Sequence, residues 1–233
     1  MKKDEIIQAI RESEDLLPKG FSLSLEDDPQ GIGVGTHNKN EYTLNRISVW
    51  INKNNAYSKF IPGINHLKIE EIVQPIFAQC KLGTGMYIET AYSTMTMEKF
   101  EVELFNQVQP HPSPKSINSE SDVSEFIQKI NMCIDKISAP FFKKWGDLRF
   151  LNDFIDNVPQ MELSNFFGMG ATYKKATLYK LCNNPRFYEY FDWLYNGLIN
   201  KYAKNPEGDI AIKRKRDAVI ALKEGLDKTK PIY

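Results

Sequence analysis

Phe21-Ser22-Leu23-Ser24-Leu25-Glu26-Asp27-Asp28-Pro29-Gln30-Gly31-Ile32-Gly33-Val34-Gly35 is the stretch that decides the fold class. Phe21, Leu23 and Leu25 alternate with Ser22, Ser24 and Glu26, the pattern of a strand with one buried face. Asp27 to Gly31 is turn chemistry, and Ile32 and Val34 resume the period of two beyond it, so the stretch predicts a β-hairpin. Ile47, Val49 and Ile51 supply the inward row of a third strand, after which the Asn, Ser, Pro and Gly residues of 52–63 read as a loop. Further strands are predicted over 86–92 and over 100–105, where Phe100, Val102 and Leu104 alternate with Glu101 and Glu103.

Outside these runs the period lengthens. Ile6, Ile7, Ile10 and Leu17 fit an amphipathic helix over 4–17, stopped by Pro18 and Gly20, and Ile69, Ile72, Val73, Ile76 and Phe77 mark a helix inserted among the strands. Residues 108–121 hold three prolines and four serines and read as a linker. Beyond it Asp122 with Glu125 suggests a capping box, and Phe126, Ile130, Cys133, Ile134 and Ile137 form a helical stripe running into Ala139-Pro140, where proline kinks or ends a helix. Helices are predicted over 171–182 and 209–226. Between them Asn184-Pro185 opens another, with Phe187, Phe191, Leu194, Tyr195, Leu198 and Tyr202 on one face. The expected fold is α+β: an N-terminal antiparallel sheet of about five strands with one or two helices, then a C-terminal helical array. The expected parts are 1–107, rich in sheet, the linker 108–121 and the helical 122–233, with one fused domain as the other possibility.

Composition narrows the function classes. Thirty basic residues balance thirty acidic ones among 233, so no global field draws the chain to nucleic acid or to an anionic membrane. Apolar residues make up 42% and charged ones 26%, the profile of a folding chain. Cys80, Cys133 and Cys182 are widely spaced and never form a CxxC pair, which argues for reduced thiols and against a disulfide framework or zinc knuckle. The polar start at Met1 to Glu5 and the lack of a run of ~20 apolar residues lead to the expectation of a cytoplasmic protein without a membrane partner.

Gly31-Ile32-Gly33-Val34-Gly35 invites comparison with a phosphate loop, but a polar turn and another strand follow it, where a phosphate loop opens a helix. The glycines instead belong to the second face of the sheet. That face presents Ser22, Ser24 and Glu26, then Gly31, Gly33 and Gly35, then Arg46, Ser48 and Trp50, then Tyr87 and Glu89, and finally Glu101 and Glu103. Missing side chains at the glycines predict a shallow trough beside Trp50 and Tyr87, so Gly33, Trp50, Tyr87 and Glu89 are the candidate ligand or partner residues. Burial of this face beneath the helical half is the competing reading.

His37, His66 and His111 sit in polar loops without zinc-protease spacing, and Glu26, Asp27 and Asp28 lack EF-hand spacing, so no metal and no cofactor is expected. No G-x-S-x-G elbow or related motif is present, which leans against an enzyme, although a triad assembled in space leaves no local trace. Lys213-Arg214-Lys215-Arg216 is the one dense basic run. Four consecutive residues exceed a helical turn and cannot share a face, and Glu207, Asp209, Asp217 and Glu224 dilute their charge.

Ile137-Ser138-Ala139-Pro140-Phe141-Phe142-Lys143-Lys144-Trp145, a helix leading into Pro-Phe-Phe, together with Lys174-Lys175-Ala176-Thr177-Leu178-Tyr179 and the β-rich half, resembles bacterial domains of unknown function that pair a small antiparallel sheet with C-terminal helices. Some such proteins are similar to immunity or accessory proteins of toxin systems, and the family brings no catalytic residues with it. The first expectation is therefore a non-enzymatic, bacterial, cytoplasmic module that binds a protein or peptide. The alternatives are an enzyme with dispersed catalytic residues and a nucleic-acid binder working through the basic run, the latter disfavoured by the balanced charge. Oligomeric state has no signature in the sequence.

Overall fold

The computed structural model describes residues 1–82, 94–108, 114–206 and 208–233. Contacts divide the chain into two units, Met1–Ile64 with Met95–Gly146 and Asn65–Thr94 with Asp147–Tyr233. The grouping interleaves along the chain, so residues 122–146, expected among the C-terminal helices, belong with the sheet.

The first unit opens with α1 (Lys3–Glu12), which buries Ile6, Ile7 and Ile10, and a 3₁₀ turn at Glu14–Leu16. The expected hairpin follows as β1 (Ser22–Asp28) and β2 (Gly31–Lys39). Pro29 presets the turn, and the Asp28 carboxylate accepts from the Gln30 amide at 2.7 Å, an Asx arrangement that holds the loop closed. The next turn repeats the device: Asn40 Oδ1 accepts from the Tyr42 and Thr43 amides at 2.8 Å and leads into β3 (Thr43–Asn52). Ile32 and Val34 on β2 and Ile47, Val49 and Ile51 on β3 are all buried, the inward rows that the alternation predicts.

Residues 52–63, expected as a loop, contain a tight turn and most of a long strand, β4 (Ala56–His66). Only the first part is turn: Asn52 Oδ1 accepts from the Asn54 and Ala56 amides, and Asn55 takes a φ of 58°, which asparagine tolerates. From Ala56 onward, tertiary contacts override the loop-like composition. Tyr57 and Phe60 bury their rings against Phe126, with centroids 4.9 and 6.1 Å away. Pro62 falls between two short pairings, which lets a strand accommodate a residue without an N–H.

Phe100 to Phe105, expected as a strand, is instead two short helices that follow β5 (Met95–Thr96): α3 (Met97–Phe100) and α4 (Val102–Asn106). Phe100 packs edge-on against Trp145 at 4.7 Å, while Met97, Phe105 and Val108 bury and Val102 stays 56% exposed. A period of two would have buried Val102 with Phe100; the contacts available to this segment select the helical turn instead. Within the expected linker, β6 (Lys115–Ser116) adds to β4, and Ile117 is fully buried. Among the described residues the sheet runs β1-β2-β3-β4-β5, with β6 also on β4.

Helix α5 (Glu120–Cys133) is capped one turn earlier than Asp122 and Glu125 suggested. Ser119 is the N-cap, and Asp122 Oδ2 accepts from the Asn118 and Ser119 amides at 2.9 and 3.0 Å, while Glu125 pairs with Lys115 and Lys129. Phe126, Ile130 and Cys133 of its apolar stripe are buried, as is Ile134 just beyond it, while Ile137 is only half-buried. A π-helical turn at Ile134–Ser138 follows, then α6 (Ala139–Trp145), so Pro140, which cannot donate to the preceding turn, falls where the chain changes helix type.

The second unit contains α2 (Leu67–Gln79), α7 (Leu148–Asp156), α8 (Leu163–Phe167), α9 (Ala171–Leu181), α10 (Phe187–Lys204) and α11 (Ile210–Lys228). Asp209 Oδ1 accepts from the Ala211 amide at 2.7 Å as the N-cap of α11, whereas Asn184, expected to cap α10, accepts from the Arg186 amide at 2.8 Å in a turn that precedes the helix, whose N-cap is Arg186. Helix α9 packs on α2, α7, α8, α10 and α11 and is buried on nearly every side. The expected strand over 86–92 lies outside the described residues.

Candidate binding face on the sheet

Register places the outward residues of β1, β2 and β3 in cross-strand rows. Ser22, His37 and Arg46 form one row, Ser24, Gly35 and Ser48 the next, then Glu26, Gly33 and Trp50, then Asp28, Gly31 and Asn52. Rows two residues apart are separated by about 6.6 Å, so the His37–Arg46 end lies roughly 13 Å from Trp50. One end is cationic and the other carries carboxylates and an indole. Ser22 Oγ stands 3.0 Å from His37 Nε2, and burial lowers the Arg46 guanidinium from its ordinary value.

The glycines decide the relief of this face. A Cβ on Gly31 would lie 2.2 Å from the Ile51 carbonyl oxygen and 2.8 Å from Trp50 Cζ2, so the indole lies across Gly31 and fills the space the missing side chain leaves. A Cβ on Gly35 would lie 2.5 Å from Ser24 Oγ, so that space is filled as well. Gly33 is different. Its nearest neighbours would be Glu26 Cβ at 3.2 Å, Glu26 Oε2 at 3.5 Å and Trp50 Cζ3 at 3.8 Å, ordinary or slightly tight contacts. The trough expected along all three glycines is thus a single hollow over Gly33, walled by a carboxylate and an aromatic ring. Trp50 is 44% exposed and Glu26 is exposed.

Of the four residues singled out in the sequence, Gly33 and Trp50 are brought together as direct cross-strand partners, and Tyr87 and Glu89 lie outside the described residues. Glu26, on Gly33's other flank, was placed on this face without being singled out, and the hairpin register alone would have paired it with Gly33. Glu101, expected on the face, instead joins α3 to α4 and accepts from Lys144 and, at 3.1 Å, from Trp145 Nε1. His66 is no loop residue: it ends β4, is fully buried, and donates its amide to Thr94 Oγ1 at 2.8 Å. His111 lies outside the described residues, among which no three His, Cys, Asp or Glu side chains are grouped to hold a metal ion.

The second unit holds two titratable clusters that the sequence did not announce, both built from adjacent lysines on α9. Lys174 Nζ meets Glu70 Oε1 at 2.8 Å, and Glu70 also accepts from Thr94 and Gln74 at 2.8 and 2.7 Å. Lys175, about a hundred degrees around the helix, donates to the Ile155 carbonyl at 3.0 Å and lies 5.3 Å from the ring centroids of Tyr179 and Tyr190. Burial lowers the Lys175 ammonium below its ordinary value and raises both tyrosines. At Asp156 burial works to raise the carboxyl, but the Tyr179 hydroxyl and Arg186 outweigh it and hold the group below its ordinary value. The Lys175 contact also has a structural use, since a cation on the last carbonyls of α7 complements that helix end.

The basic run behaves as an ordinary helix surface. Arg216 stacks on Tyr202 at 4.0 Å and pairs with Asp217, while Lys213 and Lys215 are exposed. Among the described residues no helix is long and apolar enough to cross a membrane. Comparison with known protein families, with curated proteins and with solved structures finds no match to this chain.

Proposed function

We propose that this chain is a non-enzymatic module that binds a protein or peptide segment on the outer face of β1, β2 and β3. Following the resemblance of Pro140-Phe141-Phe142 and its surroundings, it would serve as an immunity- or accessory-type protein in the bacterial cytoplasm. The observation that carries the binding reading is Trp50, a large aromatic 44% exposed at the middle of a polar sheet face. An exposed tryptophan offers a partner more apolar contact than any other side chain and is among the residues that most often anchor interfaces. The neighbouring serines and charges supply the polar rim such an anchor needs.

The test is selection of a displayed random-peptide library on the wild-type protein, with counter-selection on Trp50→Ala. The proposal expects clones that bind the wild type and lose at least about tenfold in affinity on the variant, the cost of one good anchor. A selection yielding only clones indifferent to Trp50→Ala would refute it, provided the variant keeps the wild-type circular dichroism spectrum.

A further inference from the structure

Resting on the binding reading above, the geometry points to the chemistry of what is bound: we propose that the hollow over Gly33 seats the basic side chain, arginine or lysine, of an extended partner segment. Three groups converge there. The Gly33 backbone forms the floor because no side chain rises from it. Glu26 Oε2 and Trp50 Cζ3 come within 3.5 and 3.8 Å of the point where a Cβ would sit, so a carboxylate and the rim of an indole face the same small volume from opposite strands. A basic side chain laid there packs its aliphatic stem against the indole rim while its charged end meets Glu26 as an ion-pair partner.

Charge at this end of the face agrees with that occupant. Asp28 lies one row further on the same face, opposite Gly31, about 6.6 Å along the strand. Among the described residues no lysine, arginine or histidine forms an ion pair with Glu26, and no cation stands over Trp50, whereas Asp27 is already taken by Lys3.

The deciding experiment analyses the same displayed library, adding Glu26→Gln to the panel. The proposal expects Trp50-dependent peptides to share an arginine or lysine at one fixed position. Replacing that residue by citrulline or norleucine, or Glu26 by Gln, should each weaken binding by about threefold, the scale of one exposed ion pair. Trp50-dependent peptides that lack a basic residue, or that ignore Glu26→Gln, would overturn the seat while leaving the binding face standing. An absence of any Trp50-dependent peptide would overturn both. Light scattering of the wild type and Trp50→Ala adds one more outcome: a dimer lost on substitution makes a second copy of the chain the occupant and refutes the basic-segment proposal. Glu26 is exposed, so its variant is expected to fold, and unchanged thermal unfolding confirms it.

Discussion

Lys174 and Glu70 form an ion pair of 2.8 Å with only 2% and 7% of their side chains exposed, joining α9 to α2 within the second unit. Removing one partner leaves the other charged and buried, whereas removing both leaves only an imperfect apolar fit. Lys174→Met is therefore expected to cost about 3 kcal/mol in urea unfolding, and Lys174→Met with Glu70→Leu to recover more than half of that. A single variant within ~0.5 kcal/mol of wild type would show that the pair carries no such weight.

Gly31 and Gly33 occupy the same strand and face yet differ in what surrounds them. Gly31→Ala drives a methyl into the Ile51 carbonyl, a backbone atom that cannot step aside, and is expected to destabilise by about 1–3 kcal/mol. Gly33→Ala brings a methyl to 3.2 Å from Glu26 Cβ and 3.8 Å from the edge of Trp50, a contact relieved by a shift of a few tenths of an ångström, so thermal unfolding should change by less than ~1 kcal/mol. The same small change fills the proposed seat, so it should abolish selection of basic peptides without unfolding the sheet.

Asp156 links stability to acid. Its carboxyl is lowered in the folded protein, mainly because the Tyr179 hydroxyl and Arg186 offset the effect of burial, so its contribution is present above the ordinary carboxylate pKa and lost as pH falls through the folded value. Asp156→Asn should cost about 1–2 kcal/mol at pH 7, and the gap from wild type should close as pH falls below roughly 4. Tyr179 and Tyr190 are raised, so their contribution runs the other way, present below about pH 10 and lost above it. Tyr179→Phe should accordingly flatten the alkaline limb of the stability curve. An unchanged pH profile in both variants would contradict these assignments.

The three thiols should label in a set order. Cys133 is buried beside Ser138 Oγ and pushed up to about 11, and Cys182 donates to the Leu148 carbonyl and is pushed up to about 12, in both cases chiefly by burial. Cys80 and Cys182 are both half-buried, but Cys80 is raised less, so a thiol reagent at neutral pH should modify Cys80 first, Cys182 more slowly and Cys133 only on unfolding. Peptide mapping after brief labelling checks the order.

What the sequence by itself determined is what neighbouring residues settle among themselves. Alternation at Leu23, Leu25, Ile32, Val34, Ile47, Val49 and Ile51 set the faces of three strands, because a period of two leaves one arrangement that turns them all to the same side. Asp28, Asn184 and Asp209 marked turns and helix starts through hydrogen bonds spanning two residues. From these the α+β class and the outer face bearing Gly33 and Trp50 were legible.

Only the tertiary structure decided the rest. Residues 56–66 became a strand because Phe126, nearly seventy residues away, receives Tyr57 and Phe60, and 97–106 became helical because Trp145 receives Phe100. Whether a glycine leaves a hollow depended on which side chain from the next strand lies over it, so Gly31 and Gly35 were closed and Gly33 stayed open. Nothing local marks Lys174 and Lys175 as buried; their burial follows from the enclosure of α9 by its neighbours, since a charge is buried only where distant partners such as Glu70 and the end of α7 come to meet it.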